Sequence, residues 1–170
     1  MSNDILFFVK KSNLNFIENS DTVFEFYTWY PKHIFKPKGV SYINFMIWLF
    51  FHFSNIFRSN FFSINLLYLD NKLVHHTFIF PAFYRFPFMD IKDVQLGDIW
   101  TCSNFQKMGI AKNSLSHILN LHSDKNIWFL CKKSNKASIN LALKCGFELV
   151  GRGYKNTRFI NIFSQYILNQ

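Results

Sequence analysis

The feature that most constrains this chain is the order of elements written into residues 94–150: strand, glycine turn, helix, strand, helix, glycine, strand. Residues 94–101, VQLGDIWT, have strand character. Gly109 then opens a stretch to His122 whose apolar residues Ile110, Leu115, Ile118 and Leu119 fall at helical spacing. Residues 127–131 are a short apolar run of the kind buried in a sheet. Residues 135–145 read as a second helix, with Ile139, Leu141, Ala142 and Leu143 apolar. Gly146 stands just past its end, where a left-handed residue closes many helices. Residues 147–150 return to a strand. Helices with an apolar stripe, placed between strands, must pack on the sheet those strands form.

The rest of the chain extends that sheet. ILFFV at residues 5–9 reads as a first strand. Residues 11–42, broken at Pro31 and Pro37–Gly39, are assigned to helix and loop, and residues 43–57 to an apolar helix. FSINLLYLDNKLVHHTFIF reads as two strands around Asp70-Asn71, a polar pair suited to a tight hairpin. Pro81 and Pro87 bracket an aromatic loop, AFYRFPF, and residues 158–167 close the chain as a last strand. No internal repeat, linker or charge block divides the 170 residues, a length suited to one domain. The expectation is a single α+β domain over residues 1–170 with a largely antiparallel sheet.

Lysine and arginine outnumber aspartate and glutamate 19 to 10, giving a net charge of +9. That excess calls for an anionic partner: nucleic acid, a membrane surface or a phosphorylated small molecule. Nucleic acid is disfavoured, because the cations are scattered and no readout motif is present. The stretch INFMIWLFFHFSNI, residues 43–56, falls short of the roughly 20 apolar residues of a spanning helix. It reads as a buried or groove-lining helix, with contact to a membrane surface or a partner as the alternative, and no integral membrane span is expected. Cys102, Cys131 and Cys145 make no disulfide framework, and no basic-then-apolar leader opens the chain, so a reduced, cytoplasmic setting is expected. No metal site is expected: there is no H-E-x-x-H or C-x-x-C, and His117 and His122 are wrongly spaced for one helix face. The 23 phenylalanines accompany abundant Asn, Lys and Ile, a mixture that AT-rich codon usage accounts for without an aromatic binding surface.

Chemistry concentrates in the turn after residue 101. Gln106-Lys107-Met108-Gly109-Ile110-Ala111 lies between strand and helix, where backbone N–H groups converge beside a helix N-terminus of partial positive charge. Gly109 and Ala111 keep bulk away, so that a phosphate can approach the backbone. About 25 residues later comes Asn135-Lys136-Ala137-Ser138, then Leu141, then Gly146-Phe147. The G-x-G-x-x-G fingerprint of dinucleotide-binding folds is absent. Together the two blocks resemble the GNAT superfamily of N-acetyltransferases, whose signatures are R/Q-x-x-G-x-G/A after the fourth strand and N-x-x-A/S-x-x-L-Y-x-x-x-G-F later. The match covers roughly residues 95–151.

The resemblance implies the GNAT fold, a central mostly antiparallel mixed sheet flanked by helices, and acetyl-CoA as cosubstrate with no metal. It places the pyrophosphate on the backbone amides of Gln106, Lys107, Met108, Gly109, Ile110 and Ala111. The pantetheine arm is expected to pair with the strand near Trp100 and Thr101, and Asn135 and Ser138 to touch the cofactor. The implied reaction is direct attack of a primary amine on the thioester, with no covalent enzyme intermediate. Asp98, just before the cofactor-pairing residues, is the candidate base, with His75 and His76 behind it. Adjacent strand residues face opposite ways, so at most one of these histidines points at the site. The family's tyrosine, its general acid, falls at Ala142 here; Tyr154, Cys145 or water stand in. For the acceptor, Tyr84, Arg85 and Phe88 in the aromatic loop are candidates with His75, the rings for stacking on a sugar or nucleobase and Arg85 for a diphosphate. FYTWYPKHIFKPKG, FPFM and GDIWT are together similar to small transferases found with bacterial surface-polysaccharide genes, which implies a nucleotide-linked amino sugar. A protein-directed acetyltransferase and a catalytically weak binding module of the same fold are the alternatives, and a homodimer is left open.

Overall fold

A computed structural model describes residues 4–11, 24–32, 35–156 and 164–169. Its strands are β1 (Ile5–Lys10), β2 (Tyr27–Trp29), β3 (Ser63–Leu69), β4 (Lys72–Pro81), β5 (Val94–Thr101), β6 (Ile127–Lys132), β7 (Glu148–Asn156) and β8 (Gln165–Asn169). Its helices are α1 (Tyr42–Phe53), α2 (Ile110–Leu121) and α3 (Lys136–Lys144). The expected elements are present with shifted ends. α1 stops at Phe53 rather than residue 57, β7 runs on to Asn156, and the last strand begins at Gln165. The short β2 lies where only helix and loop were expected, because Trp29 gains burial by pairing opposite Ile64 of β3. The remainder of that helix-and-loop assignment, at residues 12–23 and 33–34, lies outside the described residues, as do residues 158–163 of the expected last strand.

The strands form one sheet in the order β2-β3-β4-β5-β6-β1-β7-β8. Every neighbouring pair is antiparallel except β5 and β6. The β3–β4 hairpin turns on Asp70 and Asn71, both left-handed at φ 48° and 59°, the geometry of a two-residue turn that matches strand twist. β1 is an interior strand, inserted between β6 and β7 although its residues lie more than 115 positions from either. Its unbroken apolar run suits that place, since Phe7 and Phe8 point to opposite faces and both are buried.

Each face carries its own core. On one, α1 presses Phe45, Leu49 and Phe51 onto Ile64, Leu66, Phe78 and Phe80, with Phe57, Phe62 and Phe83 completing an aromatic cluster. On the other, Leu115, Ile118 and Leu119 of α2 and Ala142 and Cys145 of α3 cover Phe8, Val94, Leu96, Phe129 and Phe147. Most of the phenylalanines therefore serve as packing. Among the described residues no helix is long and apolar enough to cross a membrane.

Beneath α2 runs a ladder of buried polar groups. His75 Nδ1 lies 2.8 Å from Thr101 Oγ1 and its Nε2 lies 3.0 Å from Thr77 Oγ1. Thr77 Oγ1 is 3.4 Å from Ser114 Oγ of α2, which accepts from Asn65 Nδ2 at 2.9 Å. Asn65, His75, Thr77 and Ser114 are deeply buried and Thr101 is partly so, and the buried groups need one another to replace water. Burial, with the adjacent His76, pushes the His75 pKa down to about 3. His122 is likewise pushed down to about 4, chiefly by burial. The unfolded chain gains a proton at each ring below about pH 6.5, and the folded chain does not until far lower pH. Stability is therefore lost as pH falls through that window, by about 2 kcal/mol per histidine between pH 7 and pH 5. Urea unfolding at the two pH values tests this. His75→Gln is expected to remove its share of the pH dependence while weakening the ladder at both; an unchanged pH dependence would contradict the assignment.

Candidate active site

β5 and β6 are held together over only three pairs, Val94↔Ile127, Gln95↔Trp128 and Leu96↔Phe129. Beyond them each strand keeps its other neighbour, β5 staying with β4 and β6 with β1, so a gap opens in mid-sheet. A bulge marks the start of the parting. The β4–β5 register shifts between His76 and Phe78, and Asp98 takes a left-handed φ of 47°. One residue too many on β5 bends and twists the strand and resets which side chains face which way.

On the helix-pair face the gap borders a cavity of about 670 Å³ between α2 and α3. Its wall includes Ile99 and Thr101 of β5, the turn at Gln106, Lys107 and Gly109, the first residues of α2, and Asn135 and Ser138 at the head of α3. Lys107 and Gly109 are left-handed at φ 64° and 79°, and Gly109 caps α2 without a side-chain bond. A run of alternating backbone twist like this forms a concave nest of N–H groups. The first turn of α2 holds no acidic residue, and Lys107, Lys112 and Lys144 line the same space. A Cβ built on Gly109 would meet nothing within 4 Å, so the backbone there is open to a ligand. The field, the donors and the room all suit a di- or triphosphorylated group.

Two of the ten expected cofactor residues do not reach this wall. Trp100 turns to the other face and stacks on His76, ring centroids 5.4 Å apart, because the bulge reverses the alternation beyond Asp98. Met108 projects away from the cavity and is exposed. Ile110 contributes through its backbone, since its side chain is buried in the core. Asn135 has a local duty as well: its side-chain oxygen accepts the Ser138 N–H at 3.1 Å and caps α3.

On the α1 face the same gap borders a second cavity of about 340 Å³. Gln95, Gly97 and Asp98 of β5 face Leu130 and Lys132 of β6 across it, and Asn44 and Trp48 of α1 with Arg85, Phe86 and Tyr166 close it. Asp98 is half exposed, its Oδ2 3.7 Å from His76 Nε2. The Arg85 guanidinium sits 5.9 Å from the Trp48 ring and 6.0 Å from that of Tyr166, and Nη2 donates to Ser164 Oγ at 3.0 Å. Such flanking holds the cation in place while leaving it directed at the cavity.

Several acceptor-side expectations are redirected. His75 faces α2 and belongs to the buried ladder; the histidine beside Asp98 is His76. Phe88 is a packing residue, edge-on to Phe7 at 5.1 Å and Trp128 at 4.8 Å. Tyr84 packs on Phe83 and Phe51 and lines neither cavity. Tyr154 stands on β7, three strand spacings or roughly 14 Å from β5, and also lines neither. Cys145 is fully buried against α2. Trp48, Gln95, Lys132 and Tyr166 were not anticipated. Trp48 is hidden in the sequence by the apolar residues around it, and Tyr166 lies some 80 positions from the Arg85 it adjoins.

Comparison with known proteins agrees with this geometry. The model of the acetyltransferase (GNAT) family matches residues 22–147. Among curated proteins no sequence matches. A solved structure assigned to the GNAT family from Novosphingobium aromaticivorans is similar over 89% of this chain and 62% of its own, with TM-score 0.56 and 10% identity. An acetyltransferase of the family from Colwellia psychrerythraea is similar over 88% and 53%, with TM-score 0.51 and 14% identity. An N-acetyltransferase of the family from Sphaerobacter thermophilus gives 89% and 50%, TM-score 0.55 and 11% identity. The chain thus spans between 50% and 62% of the length of these structures. With a family match over most of its length and the mixed sheet parted at β5 and β6, the chain belongs to the acetyltransferase (GNAT) family.

Proposed function

We propose that this chain is an acetyl-CoA-dependent N-acetyltransferase acting on the primary amine of a small molecule, a nucleotide-linked amino sugar, as one cytoplasmic domain over residues 1–170. The observation that carries the reading is the pairing of two cavities, on opposite faces of the sheet, at one gap between β5 and β6. The lysine-lined nest at Gly109 suits the donor's phosphates, and the cavity at Asp98 and Arg85 suits an acceptor that carries both an amine and an anion. The likeness of the aromatic segments to surface-polysaccharide transferases supports an amino sugar.

The residues divide the work. The nest from Gln106 to Ala111 holds the pyrophosphate, and the unpaired edge of β5 near Thr101 orients the arm that leads into the gap. Asp98 accepts the proton of the acceptor ammonium, with His76 beside it to stabilise or pass on that charge. Arg85 binds the diphosphate as a fork of donors. Acetyl-CoA, when bound, supplies the thioester, and the departing coenzyme A sulfur takes its proton from water, so no side-chain acid is required. This accounts for Ala142, fully buried where the family carries a tyrosine, and for the remoteness of Tyr154.

Steady-state kinetics with nucleoside-diphosphate amino sugars, free amino sugars and peptides tests the reading. Asp98→Asn is expected to lower kcat about 10²–10⁴-fold with acetyl-CoA affinity unchanged. Arg85→Ala is expected to raise KM for the nucleotide-linked acceptor by roughly 10–100-fold and to leave KM for a free amino sugar nearly the same. Unchanged turnover in Asp98→Asn would remove it as the base. Transfer to peptides alone would make the acceptor a protein amine, and donor binding without turnover on any amine would make the chain a binding module.

A further inference from the structure

α1 has no polar face. A helix packed on a sheet normally turns charged residues to water, but none of the twelve residues of α1 is Asp, Glu, Lys or Arg. While Phe45, Leu49 and Phe51 are buried, the opposite side presents Ile43, Met46, Phe50 and Phe53, exposed by 72%, 42%, 63% and 58%, with Tyr42 at 65% beside them. The spacing of Ile43, Met46, Phe50 and Phe53 is three, four, three, the pattern of a helix seam that meets another helix.

The geometry points to a second copy of this chain as the occupant, with two α1 helices packed antiparallel about a two-fold axis midway between Met46 and Phe50. In that arrangement Ile43 meets Phe53 and Met46 meets Phe50 across the axis, so one stripe satisfies itself. Area supports a dimer: the five exposed side chains offer roughly 600 Å² per copy, and the pair on the order of 1,200 Å², the lower bound of specific interfaces. Charge supports it too. The molecule carries +9, yet the stripe is free of charge, so two copies meet there without apposed cations. A helix that lies on a membrane surface instead sets lysines and arginines along its polar side, and α1 has none. The pairing also braces the acceptor cavity, because Asn44 and Trp48 of the same helix line it.

Sedimentation equilibrium of the 170-residue protein between 1 and 100 µM (roughly the range over which an interface of this size dissociates) reads the assembly directly. The wild type is expected to be dimeric, with dissociation weakened or unchanged by added salt. Met46→Glu, which buries a carboxylate against the partner's Phe50, is expected to raise the dissociation constant at least about 100-fold while circular dichroism and thermal midpoint stay close to wild type. Met46→Cys combined with Phe50→Cys provides a gain of signal: under mild oxidation the double variant is expected to give a disulfide-linked dimer that wild type does not. A monomeric wild type at 100 µM overturns the proposal. So does a dimer that survives Met46→Glu and forms no crosslink in the double cysteine variant, or a wild-type monomer that co-sediments with phosphatidylglycerol vesicles. Acetyl transfer is read separately by kinetics, so a failure of this proposal is distinguishable from a failure of the transferase reading.

Discussion

Three backbone pairs between β5 and β6 govern the rest of this molecule. A parallel pair that continued to the ends of both strands would seal the sheet and separate its two faces. Here pairing ceases after Leu96 and Phe129, and the polar groups of both strand ends become available to something other than a neighbouring strand. Unpaired strand edges inside a fold are costly unless a partner supplies their hydrogen bonds. A ligand arm threaded into the gap is such a partner, which is why the parting lies between the two cavities.

The surrounding structure keeps that gap open rather than collapsed. The bulge at Asp98 bends β5 toward β4, and the ladder from Thr101 through His75 and Thr77 to Ser114 ties the bent end down onto α2. The same ladder fixes where α2 begins, and so where its N-terminal N–H groups point. On the other side β1 holds β6 away from β5 by six antiparallel pairs. β1 thus belongs to the site's construction although none of its candidate chemistry lies there.

What could be read in the sequence was local. Asp70-Asn71, Gly109 and Gly146 announce themselves because their backbone conformations exclude most other residues, and all three take left-handed φ values here. Helical spacing placed α2 and α3 within a residue or two, and the Gln106–Ala111 turn followed from its place between strand and helix. The pairing of β1 between β6 and β7 was not legible, since the apolar run ILFFV says that the strand is buried but not between which partners. The bulge was equally silent, and it turns the Trp100 side chain away from the cavity at Gly109 and onto His76. Alternation correctly allowed only one of His75 and His76 to face Asp98; choosing between them required knowing which face α2 covers. Phe88 illustrates the limit of aromatic residues as a signal, because in a core this rich in rings most of them have another ring to pack on.

The central claim is that the backbone nest at the head of α2 binds the phosphates of acetyl-CoA, and calorimetric titration tests it most directly. Wild type is expected to bind with micromolar affinity. Gly109→Glu, which brings a carboxylate where phosphate should lie and strains a left-handed backbone suited to glycine, is expected to abolish the binding, with circular dichroism showing that the fold persists. A folded wild-type protein that gives no binding heat and no competition with a labelled coenzyme A, or a Gly109→Glu variant that binds as tightly as wild type, would contradict the account.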